Sequence, residues 1–224
     1  TFAYLDNNLY AHQPNRFELL VGAGVQQEVA ITNAGSINDW CFGHLAYDYK
    51  NHLFTRLETN NIPTSSFELA YFFIPEIVVS IPFGTNEIVI ESNVDNAETI
   101  CNFIFQEQLV HDTSNDFNNI EHNTVTDFFD KESYIDTVQA IRNHIIEGDC
   151  YELNLVNGKI VDNYLADPFA LFNRLNNSNP APFSCLYRND ANFLIFSSPE
   201  RYLSKNAQIL LTQPIKGTIK RGKT

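Results

Sequence analysis

Positive charge is scarce in this sequence: 14 Lys and Arg stand against 27 Asp and Glu, a formal net charge of -13. That balance argues against a nucleic-acid or anionic-membrane surface, since both need clustered cations. Long apolar runs are missing as well. No stretch approaches the roughly 18 apolar residues of a membrane helix, and the start T-F-A-Y-L-D-N-N-L-Y has neither the basic region nor the apolar core of a signal peptide. We therefore expect no membrane segment and a cytoplasmic location. Cysteine is limited to Cys41, Cys101, Cys150 and Cys185, far apart and without a C-x-x-C pair. This excludes paired-cysteine zinc and redox motifs and leaves packed free thiols as the expectation. Methionine is absent altogether, even as an initiator, and the chain stops on Gly-Lys-Thr, so we expect a piece of a longer polypeptide. Apolar matter, by contrast, is plentiful. A 44% hydrophobic content with 13% aromatics can pack a substantial core in one large domain or two small ones.

From Phe2 to about Ser92, short apolar runs broken by Gly, Asn and Pro predict strands: F-E-L-L-V-G, Q-E-V-A-I-T, C-F-G-H-L-A-Y-D-Y, E-I-V-V-S-I and N-E-I-V-I-E-S. Residues 95–109 predict a helix capped by Asp95, with Ile100, Phe103, Ile104 and Leu109 near a 3.6 period. A polar Asn, Asp and Thr stretch from His111 to Asp130 reads as a surface connection, so regions 1–130 and 131–224 are expected, intertwined in a single domain. Ser133 then precedes a helix from Tyr134 to Glu147, stopped by Gly148. The run C-Y-E-L-N-L-V-N-G-K-I alternates with period two and predicts a strand. Asp167-Pro168 starts a short helix to about Asn176. S-C-L-Y-R, A-N-F-L-I-F-S-S and Q-I-L-L-T-Q predict a final antiparallel meander, and the class is α+β.

Few residues stand out for chemistry on spacing alone. Glu152 and Asn154 share one face of the predicted strand, which either meets water or forms a polar site. Glu200, in S-S-P-E-R, is either a rim carboxylate paired with Arg201 or a general acid kept protonated by partial burial. Lys216, before Gly217 and Thr218, is either a solvated loop charge or a nucleophile, and attack requires a neutral amine, hence desolvation or nearby cations. Gly217 permits close backbone approach to a ligand. The histidines His12, His44, His52, His111, His122 and His144 lack H-x-x-x-H and H-E-x-x-H spacing, so no metal site is read. G-T-I-K-R-G-K-T satisfies the phosphate-loop spacing, but no strand-loop-helix context accompanies it, and that reading is rejected.

Five segments in order, G-D-C-Y-E-L-N-L (148–155), D-P-F-A-L-F-N-R-L (167–175), N-P-A-P-F (179–183), S-S-P-E-R-Y-L (197–203) and P-I-K-G-T-I-K-R-G (214–222), resemble the chorismate-utilising enzymes. The likeness runs from about Tyr134 to Gly222; earlier, only W-C-F-G-H-L-A-Y-D-Y-K and A-Y-F-F-I-P look similar. It implies a two-sheet antiparallel sandwich flanked by helices, of which this chain would supply part. Lys before Gly-Thr resembles the branch that aminates chorismate at C4, where the branch making anthranilate typically carries Ala. The resemblance implies that Lys216 attacks C2 of chorismate, that Glu200 protonates the departing C4 hydroxyl, and that Gly217 and Thr218 contact the ring carboxylate. Glu152 departs from the Gln of amine-forming members and from the water-activating Lys of isochorismate synthases, while Asn154-Leu155 resembles the branch that aminates at C4. N-P-A-P-F matches part of a tryptophan pocket of some relatives. Further implied are a glutaminase amidotransferase subunit supplying ammonia and a Mg2+ ion whose ligands lie downstream, so these 224 residues alone should be inactive.

Overall fold

A computed structural model describes residues 1–11, 16–54, 56, 66–106, 124–162, 164, 166–217 and 220. The chain divides into two compact units, residues 1–111 with 168–224 and residues 112–167.

The first unit is built on a six-stranded antiparallel sheet of order β11-β10-β1-β2-β6-β7. Its strands are β1 (Phe2–Asp6), β2 (Phe17–Ala23), β6 (Ile77–Pro82), β7 (Val89–Ser92), β10 (Phe183–Asn189) and β11 (Asn192–Ser198). β1 lies between β10 and β2, with Leu5 opposite both Cys185 and Leu20. Alternation along β1 serves two layers. Phe2 stacks on Phe169 and Tyr4 meets Phe172 edge-on, both rings belonging to α5 (Pro168–Ser178). Ala3 points the other way, into a core shared with Phe42, Phe73, Val78, Cys185 and Tyr187. Phe42 and Phe73 come from a second sheet, β3 (Gln27–Val29), β5 (Ala70–Ile74) and β4 (Phe42–Leu45) in the order β3-β5-β4. β10, covered on both sides, reads as an unbroken buried run, Ser184 to Tyr187. The buried Tyr187 hydroxyl lies 3.1 Å from His44 Nδ1, while His44 Nε2 donates to the Glu68 carbonyl at 2.8 Å. A carbonyl only accepts, so in the neutral ring Nδ1 is the acceptor and the tyrosine the donor. Burial raises the pKa of Tyr187, and it pushes the Cys185 thiol up to about 12.

Several segments depart from the sequence reading. Q-E-V-A-I-T is a strand only to Val29 and then turns into α1 (Ile31–Ala34). C-F-G-H-L-A-Y-D-Y likewise leaves β4 for a 3-10 turn at Tyr47–Tyr49, followed by α2 (Lys50–Leu53). The helix predicted from Asp95 is α3 (Ala97–Gln106), and its cap is Asn96, whose Oδ1 accepts from Thr99 N at 2.7 Å; residues 107–109 lie outside the described set. R-Y-L-S-K-N, which lies between two of the predicted runs, is itself a strand, β12 (Arg201–Asn206), paired with β13 (Ile209–Gln213).

In the second unit, β8 (Val125–Asp127) pairs with β9 (Lys159–Val161), and Lys159 Nζ meets Asp127 Oδ1 at 2.7 Å. α4 (Lys131–Glu147) begins earlier than predicted because Asp130, not Ser133, caps it, accepting from Ser133 N at 2.7 Å. Gly148, at φ 89°, closes its C-terminus in the left-handed conformation. The predicted strand over 150–160 is a correction: only its end, β9, is a strand. Strand backbone needs a neighbour to satisfy its N–H and C=O groups, and residues 151–158 have no ladder partner among the described residues.

Candidate active site

The β12–β13 hairpin brings two candidate segments together. Arg201 stands opposite Gln213 as the last pair at the hairpin's open end, after a register shift between Arg201 and Ser204. Glu200 therefore precedes one strand where Pro214, Ile215 and Lys216 follow the other. The Glu200 carboxylate, through Oε2, accepts a hydrogen bond from Ile215 N at 3.3 Å. Upstream, Ser198 Oγ donates to Glu200 O at 3.1 Å and accepts from Glu200 N at 3.3 Å, which holds the S-P-E turn closed. Glu200, Lys216 and Gly217 are all exposed, and a Cβ at Gly217 would meet nothing within 4 Å. That openness leaves room for a ligand against the backbone N–H groups. Thr218 lies outside the described residues. Glu152 and Asn154 are exposed side chains of the second unit, in the non-strand stretch, so the shared strand face expected for them is not formed.

The hairpin is tied to the main sheet at both ends. Arg16 Nη2 donates to Asn206 Oδ1 at 3.1 Å, and the Arg201 guanidinium lies 5.1 Å from the centre of the Phe183 ring. Between hairpin and sheet is a cavity of about 530 Å³, lined among others by Asp6, Arg16, Glu18, Phe183, Phe196 and Arg201. Pro182 and Phe183 of N-P-A-P-F form part of its wall. A network that the sequence did not suggest fixes that loop. Asn8 Nδ2 reaches Asn176 Oδ1 at 2.9 Å, the Ala181 carbonyl at 2.7 Å and Ser184 Oγ at 3.0 Å. Asn176 Nδ2 in turn donates to Asp6 Oδ2 at 3.1 Å, and Ser197 Oγ bonds the Asn179 carbonyl. The local signal for it is D-N-N at 6–8, since Asn tolerates the left-handed conformation that Asn8 adopts.

The family profile for chorismate binding enzymes matches residues 7–224. This chain belongs to the chorismate binding enzyme family. Among curated members it is 35% identical over 91 residues to aminodeoxychorismate synthase component 1 of Klebsiella aerogenes, covering 41% of this chain and 20% of that protein. It is 41% identical over 99 residues to the chloroplastic aminodeoxychorismate synthase of Arabidopsis thaliana, covering 42% and 11%. It is 34% identical over 94 residues to an anthranilate synthase component 1 of Haloarcula marismortui, covering 42% and 19%. The matched segments thus span a fifth or less of these relatives. The solved anthranilate synthase component I of Streptococcus pneumoniae superposes with a TM-score of 0.64 at 16% identity, over 90% of this chain and 54% of that one. At that identity the likeness is one of fold, and the α+β antiparallel architecture expected from the sequence is the chorismate binding fold. No described helix is long and apolar enough to cross a membrane.

Metal ligation needs several donor atoms that converge among the described side chains. Among them, one group of three ligating residues occurs, His144, Glu147 and Asp149, with donor atoms within 4.8 Å of one another and all exposed. Its imidazole is a poor match to the all-oxygen shell that Mg2+ prefers. His144 Nδ1 already meets Asp149 Oδ2 at 2.7 Å, and Asp149 N donates to the His144 carbonyl at 3.0 Å, a helix-terminus arrangement. The described residues do not fit Mg2+.

Proposed function

We propose that this chain belongs to an aminodeoxychorismate synthase component I, which aminates chorismate at C4 to give 4-amino-4-deoxychorismate for para-aminobenzoate and folate synthesis. The observation that carries this reading is the apposition of S-P-E-R and P-I-K-G at one hairpin end, joined by the bond from Ile215 N to the Glu200 carboxylate. In the proposed sequence the neutral Lys216 amine attacks C2 of chorismate. Both ring double bonds shift, from C1=C2 and C5=C6 to C1=C6 and C4=C5, and the C4 hydroxyl leaves as water on taking a proton from Glu200. Ammonia then adds at C4 and expels the lysine, which restores the free amine. Gly217 and Thr218 would offer backbone N–H groups to the ring carboxylate. Glu152 and Asn154 are proposed as substrate contacts. Ammonia is proposed to come from a glutaminase amidotransferase subunit, and Mg2+, if held by other residues of the intact polypeptide, would supply charge neutralisation at a carboxylate. The 224 residues by themselves are expected to lack turnover. Cys41, Cys101, Cys150 and Cys185 are all free, which favours a reducing, cytoplasmic compartment.

The test is to incubate the intact polypeptide with chorismate, Mg2+ and ammonium. 4-Amino-4-deoxychorismate is the expected product, and Lys216→Ala should abolish it. The second reading, anthranilate synthase component I, is favoured by the curated relatives of that name. Anthranilate as product, with Lys216→Ala keeping the full rate, would establish it instead.

A further inference from the structure

We infer that Glu200 is a positioning residue for Lys216, fastening the strand-end segment Pro214 to Gly217 to the S-P-E turn through the Ile215 N–H. The inference rests on the reading of Lys216 as nucleophile for its functional meaning, but the fastening itself stands on geometry. Beyond the last hairpin pair, Arg201 with Gln213, residues 214–217 join no ladder among the described residues. Pro214 has no N–H to give, so Ile215 offers the first donor past the strand, and Glu200 Oε2 takes it at 3.3 Å. Glu200 is in turn held by its own backbone, bonded in both directions to Ser198 Oγ. A chain of contacts thus runs from Ser198 through Glu200 and Ile215 to the residue that carries the amine. It also distinguishes the two carboxyl oxygens. Oε2 accepts from Ile215 N, so one side chain both braces the nucleophile's segment and keeps its other oxygen, Oε1, for acid work.

The test uses the intact polypeptide labelled with 15N-isoleucine, the Ile215 resonance being assigned by its loss in Ile215→Val. Amide exchange with water at Ile215 reads the bond directly. Glu200→Ala should raise that exchange roughly fivefold, the equivalent of one net hydrogen bond. Glu200→Gln, which keeps an acceptor oxygen, should stay within about twofold of wild type. Ser198→Ala should fall between them, and the remaining isoleucine signals report that each variant is folded. Acylation of Lys216 across pH, followed by mass spectrometry, should likewise be altered in Glu200→Ala and rescued in Glu200→Gln. Unchanged exchange in Glu200→Ala, or Glu200→Gln behaving as Glu200→Ala, overturns the inference. Anthranilate as the enzymatic product with the exchange pattern as expected would instead defeat the proposed function and leave the brace standing.

Discussion

Asn8 is where a single side chain holds the cavity wall, and its replacement separates two physical effects. Its amide nitrogen faces three acceptors, Asn176 Oδ1, the Ala181 carbonyl and Ser184 Oγ, and has two hydrogens to share among them. Losing about two net hydrogen bonds costs about 2 kcal/mol. Asn8 also has φ 51°, a conformation that costs an ordinary L-residue about 1 kcal/mol and glycine nothing. Asn8→Gly should therefore lose about 2 kcal/mol and Asn8→Ala about 3 kcal/mol. Asn8→Asp should be worse than either, because a carboxylate would face three oxygen acceptors beside Asp6. Urea unfolding at neutral pH, with equal m-values across the series, measures all three. Glycine and alanine variants of equal stability would refute the backbone contribution, and an aspartate variant as stable as wild type would refute the acceptor network.

Three further outcomes follow from the packing. Phe73 is fully buried between the sheets, so Phe73→Ala should cost about 3–5 kcal/mol in the same urea assay, and a loss below 1 kcal/mol would contradict its place in the core. At Gly22 an added Cβ would stand 2.7 Å from the Phe42 ring, which is itself packed on Trp40 and Phe73; Gly22→Ala should cost about 1–3 kcal/mol and change the near-ultraviolet dichroism. The third concerns alkaline pH. The Cys185 thiol, ordinarily near 9.0, is pushed up to about 12 by burial, so above pH 9 the unfolded chain sheds a proton that the folded chain keeps. Stability should fall as pH rises, by up to ~1.4 kcal/mol per unit for this one group. The slope between pH 9 and 10 should flatten in Cys185→Ala, before the raised tyrosines Tyr4, Tyr71 and Tyr187 contribute; an unaltered slope would refute the assignment.

Strands built on apolar runs were legible in the residues, even where, as in β7 and β13, no residue is buried, and those without such a run were not. F-E-L-L-V-G and S-C-L-Y-R became β2 and β10 because apolar side chains at those spacings have layers to meet. β12 escaped notice since its side chains are mostly exposed and a register shift interrupts its alternation, leaving no pattern to read. The opposite error occurred over 150–160, where alternation is present but pairing is not; Tyr151 is fully exposed. Helix α4 was visible from its period, yet its start was misplaced because Asp130 and Ser133 are equally plausible caps until a side chain is seen bonding. In the candidate site, Lys216 and Glu200 emerged from motif resemblance. Their connection could not, because 15 residues separate Glu200 from Ile215 and only the hairpin register makes them neighbours. The Asn8 network is likewise a contact across almost the whole chain, invisible to any local window.

The central position of β1 constrains how the protein is made. Phe2 pairs with Arg188 on one side and with Ala23 on the other, so β1 completes its ladder only after β10, far downstream, has been made. On the ribosome, β1, β2, β6 and β7 can assemble while β1 still presents an open edge of backbone donors and acceptors. Closing that edge requires a long loop between β1 and β10, the slow kind of contact in folding. A nascent chain arrested before residue 183 would carry this edge into solution, which makes the interval before β10 emerges the moment of greatest exposure to chaperones and to aggregation.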